Sequence, residues 1–405
     1  MVNICLQHGN ADGVFIGYLA FGPIFMGAIL KRKQSGFDYG QLTLALVEKY
    51  KSRFYKAETH FVVGYFAIPW RRPAIEMERY WQIAYDAGQE VGDFFHTSRS
   101  ICGTIQSYYM RGMAFNEIEN AANRFLEFLK RIKNTEGILT LASVQKSIKN
   151  LSGETESPIS LNTTDFDEEK YIKQLPGFNS RHFAHYYYIN KMQTLYLWGE
   201  YQKAHDLSLM SDRYLKDSPG MLHTAEHFFY KALIICALYP GVSQGKRIKW
   251  KRTLHNIRSK FRNYSKGCAS NFIHKQHLLE AEINRIENNN ELAQNDYYAA
   301  IDSATKYGYT NIFALAHSLT GDFNYNAGRT RLAGFQVRDA HYSYQTMGAS
   351  AYADYLIRRH PGTSEFGEPE TNMTGGEDGQ QTLSKNKIRT GNLDLSTILK
   401  SSEAI

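Results

Sequence analysis

Three residues of the stretch HTAEH, His223, Glu226 and His227, stand at the spacing with which a helix can hold zinc. Positions i and i+4 share one helix face, so both imidazoles could reach one ion while the glutamate serves as base. A catalytic zinc also needs a third protein ligand and an open water position. No downstream acid marks itself as that ligand, the next Asp or Glu after Glu226 being Glu280. The stretch therefore reads as an ordinary helix face, with a zinc hydrolase as the alternative. His182 and His185, and His274 and His277, are each three apart on expected helices. No cysteine or carboxylate cluster accompanies them, and they read as packing or surface residues. GVSQGKR, Gly241 to Arg247, has three residues between its glycines where a phosphate loop has four, and Arg247 follows Lys246 where Ser or Thr is required. It reads as a turn between helices. With no kinase catalytic loop, metal-binding triplet or G-x-S-x-G elbow, the reading is not an enzyme: no catalytic residue, cofactor, metal ligand or small-molecule substrate is assigned.

Binding chemistry is better supplied. Between Glu226 and Glu280 there is no acidic residue, while nine lysines and arginines fall within residues 246–266. Trp250, Leu254, Ile257 and Phe261 form a stripe at spacings of 4, 3 and 4, which predicts a basic amphipathic helix. Its apolar side would dock on neighbouring helices, leaving Lys249, Arg252, Arg258 and Arg262 as candidate contacts for an anionic partner. That partner could be an acidic protein surface, nucleic acid or anionic lipid, and a solvated repeat helix explains the same pattern. Tyr187 and Tyr298, with Tyr186, Tyr188 and Tyr297, are candidate aromatics of a binding groove or members of the core.

The elements that must carry these residues are helices. From residue 14 to 360 apolar residues recur at three- and four-residue steps, and turn signals such as WGEYQ, KYGYTN and TMGAS separate the runs. The stretch ELAQNDYYAAIDSATKYGYTN is echoed forty residues on: Ala293 falls on Ala333, Ala300 on Ala340 and Gly308 on Gly348. Small residues at fixed points let stacked helix pairs cross closely, and a glycine where a helix ends takes the left-handed cap. The fold class predicted is all-α, an α-solenoid of antiparallel helix hairpins (a tetratricopeptide-like superhelix) with a disordered C-terminal linker. Residues 1–149 form the N-terminal half of the array and 180–360 the C-terminal half. Residues 150–179, rich in Ser, Thr, Asp and Glu, are expected to be a polar surface loop or partial lid between them. Residues 361–392 read as a flexible linker and 393–405 as the start of a further helix.

The bulk numbers agree with a folded chain: hydrophobic residues are 43% of 405, aromatics 14%, and the net charge is a mild +7. Cys5, Cys102, Cys236 and Cys268 are scattered without a CxxC pair, which suits a reducing, cytoplasmic setting. Residues 14–30, VFIGYLAFGPIFMGAIL, carry no charge and precede Lys31, Arg32 and Lys33. At the lower limit of a membrane span and interrupted by Pro23 and three glycines, they read as a buried helix pair.

Several stretches in order resemble the tetratricopeptide-like region of large bacterial multidomain signalling proteins. They are HGNADGVFIGYLAFG (8–22), FDYGQLTLALVEKY (37–50), DFDEE (165–169) and CASNFIHKQHLLEAEINRI (268–286), then YYAAIDSATKYGY (297–309), GASAYADYLIRRHP (348–361) and LDLSTILKSSEAI (393–405). The similarity covers essentially the whole chain; Ala269 departs from it where such regions often carry Pro. In those proteins a serine/threonine-kinase-like domain and a STAND-type ATPase precede the region, and a GAF domain and histidine kinase come after it. The resemblance implies a non-catalytic segment of a larger protein, whose partners are a protein or peptide or the flanking kinase, ATPase and GAF domains. No catalytic residue of the family falls within these residues, and the closing helix resembles the one leading into the GAF domain.

Overall fold

A computed structural model describes residues 3, 7, 9, 10 and 13–363. Residues 364–405 lie outside the described residues, and with them all but the start of the expected linker and the whole of the expected closing helix. Among the described residues there are seventeen α-helices and no β-strand.

In chain order they are α1 (Val14–Leu19, continued as a π-helix over Ala20–Ile29), α2 (Lys33–Lys49), α3 (Arg53–Phe66), α4 (Ile75–Val91), α5 (Phe94–Arg111), α6 (Phe115–Arg131) and α7 (Thr135–Ser152). Then come α8 (Glu168–Gln174), α9 (Arg181–Leu197), α10 (Tyr201–Asp212), α11 (His223–Leu238) and α12 (Gln244–Gly267). The last five are α13 (Ala269–Ile286), α14 (Asn290–Tyr307), α15 (Thr310–Asn326), α16 (Thr330–Met347) and α17 (Ser350–Arg359). Nearly every helix packs on the next in sequence, the arrangement of an α-solenoid of helix hairpins.

One turn chemistry is used again and again. A residue in the left-handed conformation ends a helix, and the next N–H donates to the carbonyl five residues back, satisfying an otherwise orphaned acceptor. Tyr309 N donates to Ala304 O (3.0 Å) after Gly308 at φ 71°, and Ala349 N to Tyr344 O (2.8 Å) after Gly348 at φ 97°. The same bond closes α4 after Gly92, α2 after Lys51 and α6 after Lys133. Ala293, Ala300, Ala333 and Ala340 are all fully buried, as their repetition predicts.

Residues 14–30 form one continuous helix and not a helix pair. Pro23 has no N–H and its ring would strike the carbonyl four residues back. Widening the turn to π geometry removes that clash without ending the helix. The glycines serve the crossing with α2: a Cβ on Gly22 would lie 2.1 Å from Tyr39 Cβ, and one on Gly36 2.6 Å from Gly27 Cα.

The array returns onto itself. Asn271 donates to the Pro69 carbonyl (2.7 Å), Asn311 to the Met110 carbonyl (3.0 Å), and Ser152 to the Gly348 carbonyl (2.8 Å), pairs 202, 201 and 196 residues apart. The space enclosed is filled by α9 and α11, which are buried nearly all round. Two cavities beside these helices, one lined by Tyr109, Gln193 and Tyr230 and the other by Tyr65, Tyr186 and His223, measure about 10 Å³ each, room for a single water.

The segment between α7 and α9 is closely held. The Asn150 amide faces the carbonyls of Ser157 (3.2 Å) and Ser160 (3.0 Å), and its oxygen accepts from Trp198 Nε1 (2.8 Å). Glu168 accepts from Leu161 N (2.9 Å), Tyr187 Oη (2.8 Å) and Lys191 Nζ (3.0 Å), and Leu161 is fully buried. Short side-chain-to-backbone bonds of this kind replace the apolar periodicity that the segment lacks.

Candidate partner surface and buried polar clusters

The longest helix, α12, presents the stripe expected of it. Trp250, Leu254, Ile257 and Phe261 are buried, and Trp250 and Phe261 join the aromatic packing of His205 (5.5 Å between centroids) and Tyr264 (5.7 Å). Docking this stripe forces the rest of the helix outward, so its cations follow from the same 3.6-residue period.

Those cations fall into two groups. Some are engaged: Arg262 makes a two-pronged bond to Glu280 (2.8 and 3.1 Å), and Lys251 stands 3.8 Å from Glu287. Lys246 lies 4.5 Å from the Trp250 ring centroid, and Arg247 donates to the Pro240 carbonyl (2.7 Å). Half-buried Arg258 is hydrogen-bonded to His255 Nδ1, at 3.3 Å. Lys249 and Arg252 are exposed, with no side-chain partner among the described residues. The two stand one turn apart on a helix without a carboxylate and turn positive charge to solvent.

The tyrosines divide differently. Tyr187 is 2% exposed and bonded to Glu168, so its place is in the core and it lines no groove; Tyr186, Tyr188 and Tyr297 are buried with it. Tyr298, 38% exposed, remains accessible.

Two of the histidine pairs that spacing singles out, His182 with His185 and His223 with His227, meet inside the array. His223 stacks edge-on to His185 (5.1 Å) and Tyr186 (4.5 Å), and His185 lies 5.5 Å from His227. His185 Nδ1 pairs with Ser218 Oγ (3.0 Å); His227 pairs with Ser211 Oγ (2.8 Å) and Asp212 Oδ1 (3.0 Å). His182, behind them, faces Arg99 and the ring of Tyr65. Burial holds the imidazoles of His185 and His223 well below the ordinary histidine value and drives that of His182 down to about 3. Burial likewise lowers His227, partly opposed by Asp212. Asp212 resists ionisation through burial, yet the bonds from His227 and Lys231 outweigh this and keep it below the usual carboxylate value.

Glu226, the would-be base of HTAEH, points the other way, into an ion pair with Lys275 of α13. Histidines and glutamate of the motif therefore serve different neighbours. Among the described residues no group of three His, Cys, Asp or Glu side chains converges as a metal site. His274 and His277 also part company: His274 lies 4.1 Å from the Tyr309 ring centroid in the core, and His277 stands 3.8 Å from Asp296.

Sequence spacing flags these residues singly; the convergence of α9 with α11 is a long-range event that no local pattern announces. No protein-family model matches the chain, and no curated protein is similar to it.

Proposed function

We propose that this chain is a non-catalytic helical-repeat scaffold that engages an acidic protein surface through the outer face of α12. The observation that supports this most directly is the filled interior. A solenoid that binds in its concave groove needs an open one, and here α9 and α11 are buried nearly all round, with cavities of about 10 Å³ at Tyr109 and at Tyr65 beside them. Recognition then falls to the outside, where Lys249 and Arg252 carry charge with no side-chain partner among the described residues. The finer reading is a cytoplasmic tetratricopeptide-like segment that couples an ATPase switch to a kinase output within a bacterial signalling protein. It rests on the sequence resemblance.

The test is titration of the purified chain with a labelled polyglutamate peptide and, separately, a DNA duplex. Polyglutamate should bind, weaken steeply with added salt, and lose about tenfold or more in affinity in the K249E/R252E/R258E variant. Binding of neither polyanion would end this reading. Tighter binding of the duplex at equal salt would make the partner a nucleic acid.

A further inference from the structure

The outward side of α1 is anomalous. Its inner side, including Phe15, Tyr18, Gly22 and Ala28, is buried, which leaves Ile16, Ala20, Phe25, Ile29 and Leu30 facing out. Phe25 is 44% exposed, Ile29 53% and Leu30 45%. The steps of four, five and four residues from Ile16 to Ile29 keep these side chains in one row, because the π-turn absorbs the extra residue. Between Val14 and Leu30 the single polar side chain is Tyr18, turned inward to Asn10 (2.9 Å). A contiguous apolar row of this kind on an exposed helix marks a contact surface.

The residues at the end of the row indicate the kind of contact. Lys31 and Arg32 are exposed, with no carboxylate bonded to either among the described residues. Lys33 lies 3.8 Å from the Trp70 ring centroid. Burial lowers the pKa of Lys260 of α12, and the nearby charge of Lys31 adds to this. Trp70 ties the two together, its indole N–H bonded to Gly220 O (2.7 Å) and its ring 5.0 Å from that of Tyr264. Apolar side chains thus run into a cluster of cations, with no hydrogen-bonding side chain on the row to select a protein partner. A second copy of the chain would bring the same patch, cations and all, against itself.

We infer that α1 rests in the plane of an anionic lipid bilayer, with Phe25, Ile29 and Leu30 among the acyl chains and Lys31 and Arg32 at the lipid phosphates and carboxylates. Apolar burial supplies the attachment and the cations select anionic headgroups. The helix cannot turn to cross: α2 and α3 hold its inner side, and no helix among the described residues is long and apolar enough to span a membrane.

Co-sedimentation with vesicles decides the matter, using the whole chain and phosphatidylcholine with or without roughly one-third phosphatidylserine. The expected result is binding to the serine-containing vesicles, about tenfold weaker to the neutral ones, and weakened by about tenfold in K31E/R32E. The F25E/I29E variant should lose binding while keeping the wild-type circular dichroism, since both side chains are already exposed. Failure to bind anionic vesicles overturns the inference. So does a concentration-dependent dimer that F25E/I29E dissolves, which would make the occupant a second copy. Equal binding to both lipids overturns the anionic assignment. The K31E/R32E and F25E/I29E variants leave Lys249, Arg252 and Arg258 intact, so loss of vesicle binding in them is separate from the α12 reading.

Discussion

Glu226 of α11 and Lys275 of α13 form an ion pair inside the array, their side chains 6% and 2% exposed. Removing one partner leaves the other charge in a low-dielectric interior without compensation. Glu226→Gln should therefore cost about 3 kcal/mol or more of unfolding free energy. The double change Glu226→Leu with Lys275→Met should cost far less, because apolar side chains of similar volume replace a desolvated pair about evenly. Urea unfolding of the two variants checks the difference. Equal losses would mean that Lys275 reaches water when Glu226 is gone.

Acid should weaken the fold through the histidine cluster. His182, His185, His223 and His227 are held neutral by burial in the folded chain, whereas the unfolded chain protonates each near pH 6.5. Below that value the unfolded state binds more protons, so their contribution to stability is full above about pH 6.5 and falls as pH drops toward the folded values. Each histidine adds a slope of about 1.4 kcal/mol per pH unit. Asp212 titrates below this window and does not mask it. Urea midpoints should fall steeply between about pH 6.5 and pH 5, and less steeply in His182→Gln. A flat profile would show that the cluster opens to solvent.

The repeat grammar was legible because it is local. Ala293 and Ala333, or Gly308 and Gly348, carry their structural reason within a turn or two of chain: close crossing and a left-handed cap. The Trp250–Phe261 stripe is likewise a period of one helix. The filled interior was not legible, because RHFAHYYYINKMQTLYL in α9 mixes His, Asn, Lys, Gln and Thr among its apolar residues. Those polar groups are accepted in the core because distant partners meet them: Asn190 bonds Gln106 (2.9 Å), Lys191 bonds Glu168 and His185 bonds Ser218. Such partners lie on other helices or in the turn before α11, and periodicity says nothing about them. The same holds for the α12 cations, where only packing reveals that Arg262 is answered by Glu280 while Lys249 has no side-chain partner among the described residues.

Asn150 fastens the loop before α8. Its amide points at the loop carbonyls and its oxygen takes the Trp198 N–H, so an apolar isostere leaves several partly buried groups unpaired. Asn150→Leu should cost about 2 to 3 kcal/mol and expose the loop to protease near Pro158. Limited proteolysis at native pH reads this directly. An unchanged cleavage pattern would show that Glu168 and Lys191 suffice to hold the segment.

The left-handed caps allow backbone strain to be separated from crowding. Gly308 (φ 71°) has nothing within 4 Å of where a Cβ would lie, so Gly308→Ala should cost only the left-handed penalty, about 1 kcal/mol. Gly112 (φ 75°) has the same conformation, but its Cβ would fall 2.4 Å from Asn311 N. Asn311 is the residue that bonds back to Met110, where the array closes on itself. Gly112→Ala should therefore cost a further 1 to 3 kcal/mol, roughly the penalty of overpacking. Exposed Lys133, at φ 55°, bears the left-handed strain, and Lys133→Gly should raise stability by up to about 1 kcal/mol. Thermal unfolding of the three variants should rank them Lys133→Gly, Gly308→Ala, Gly112→Ala from most to least stable. If Gly112→Ala matched Gly308→Ala, the two halves of the array would have to separate at that contact at little energetic expense.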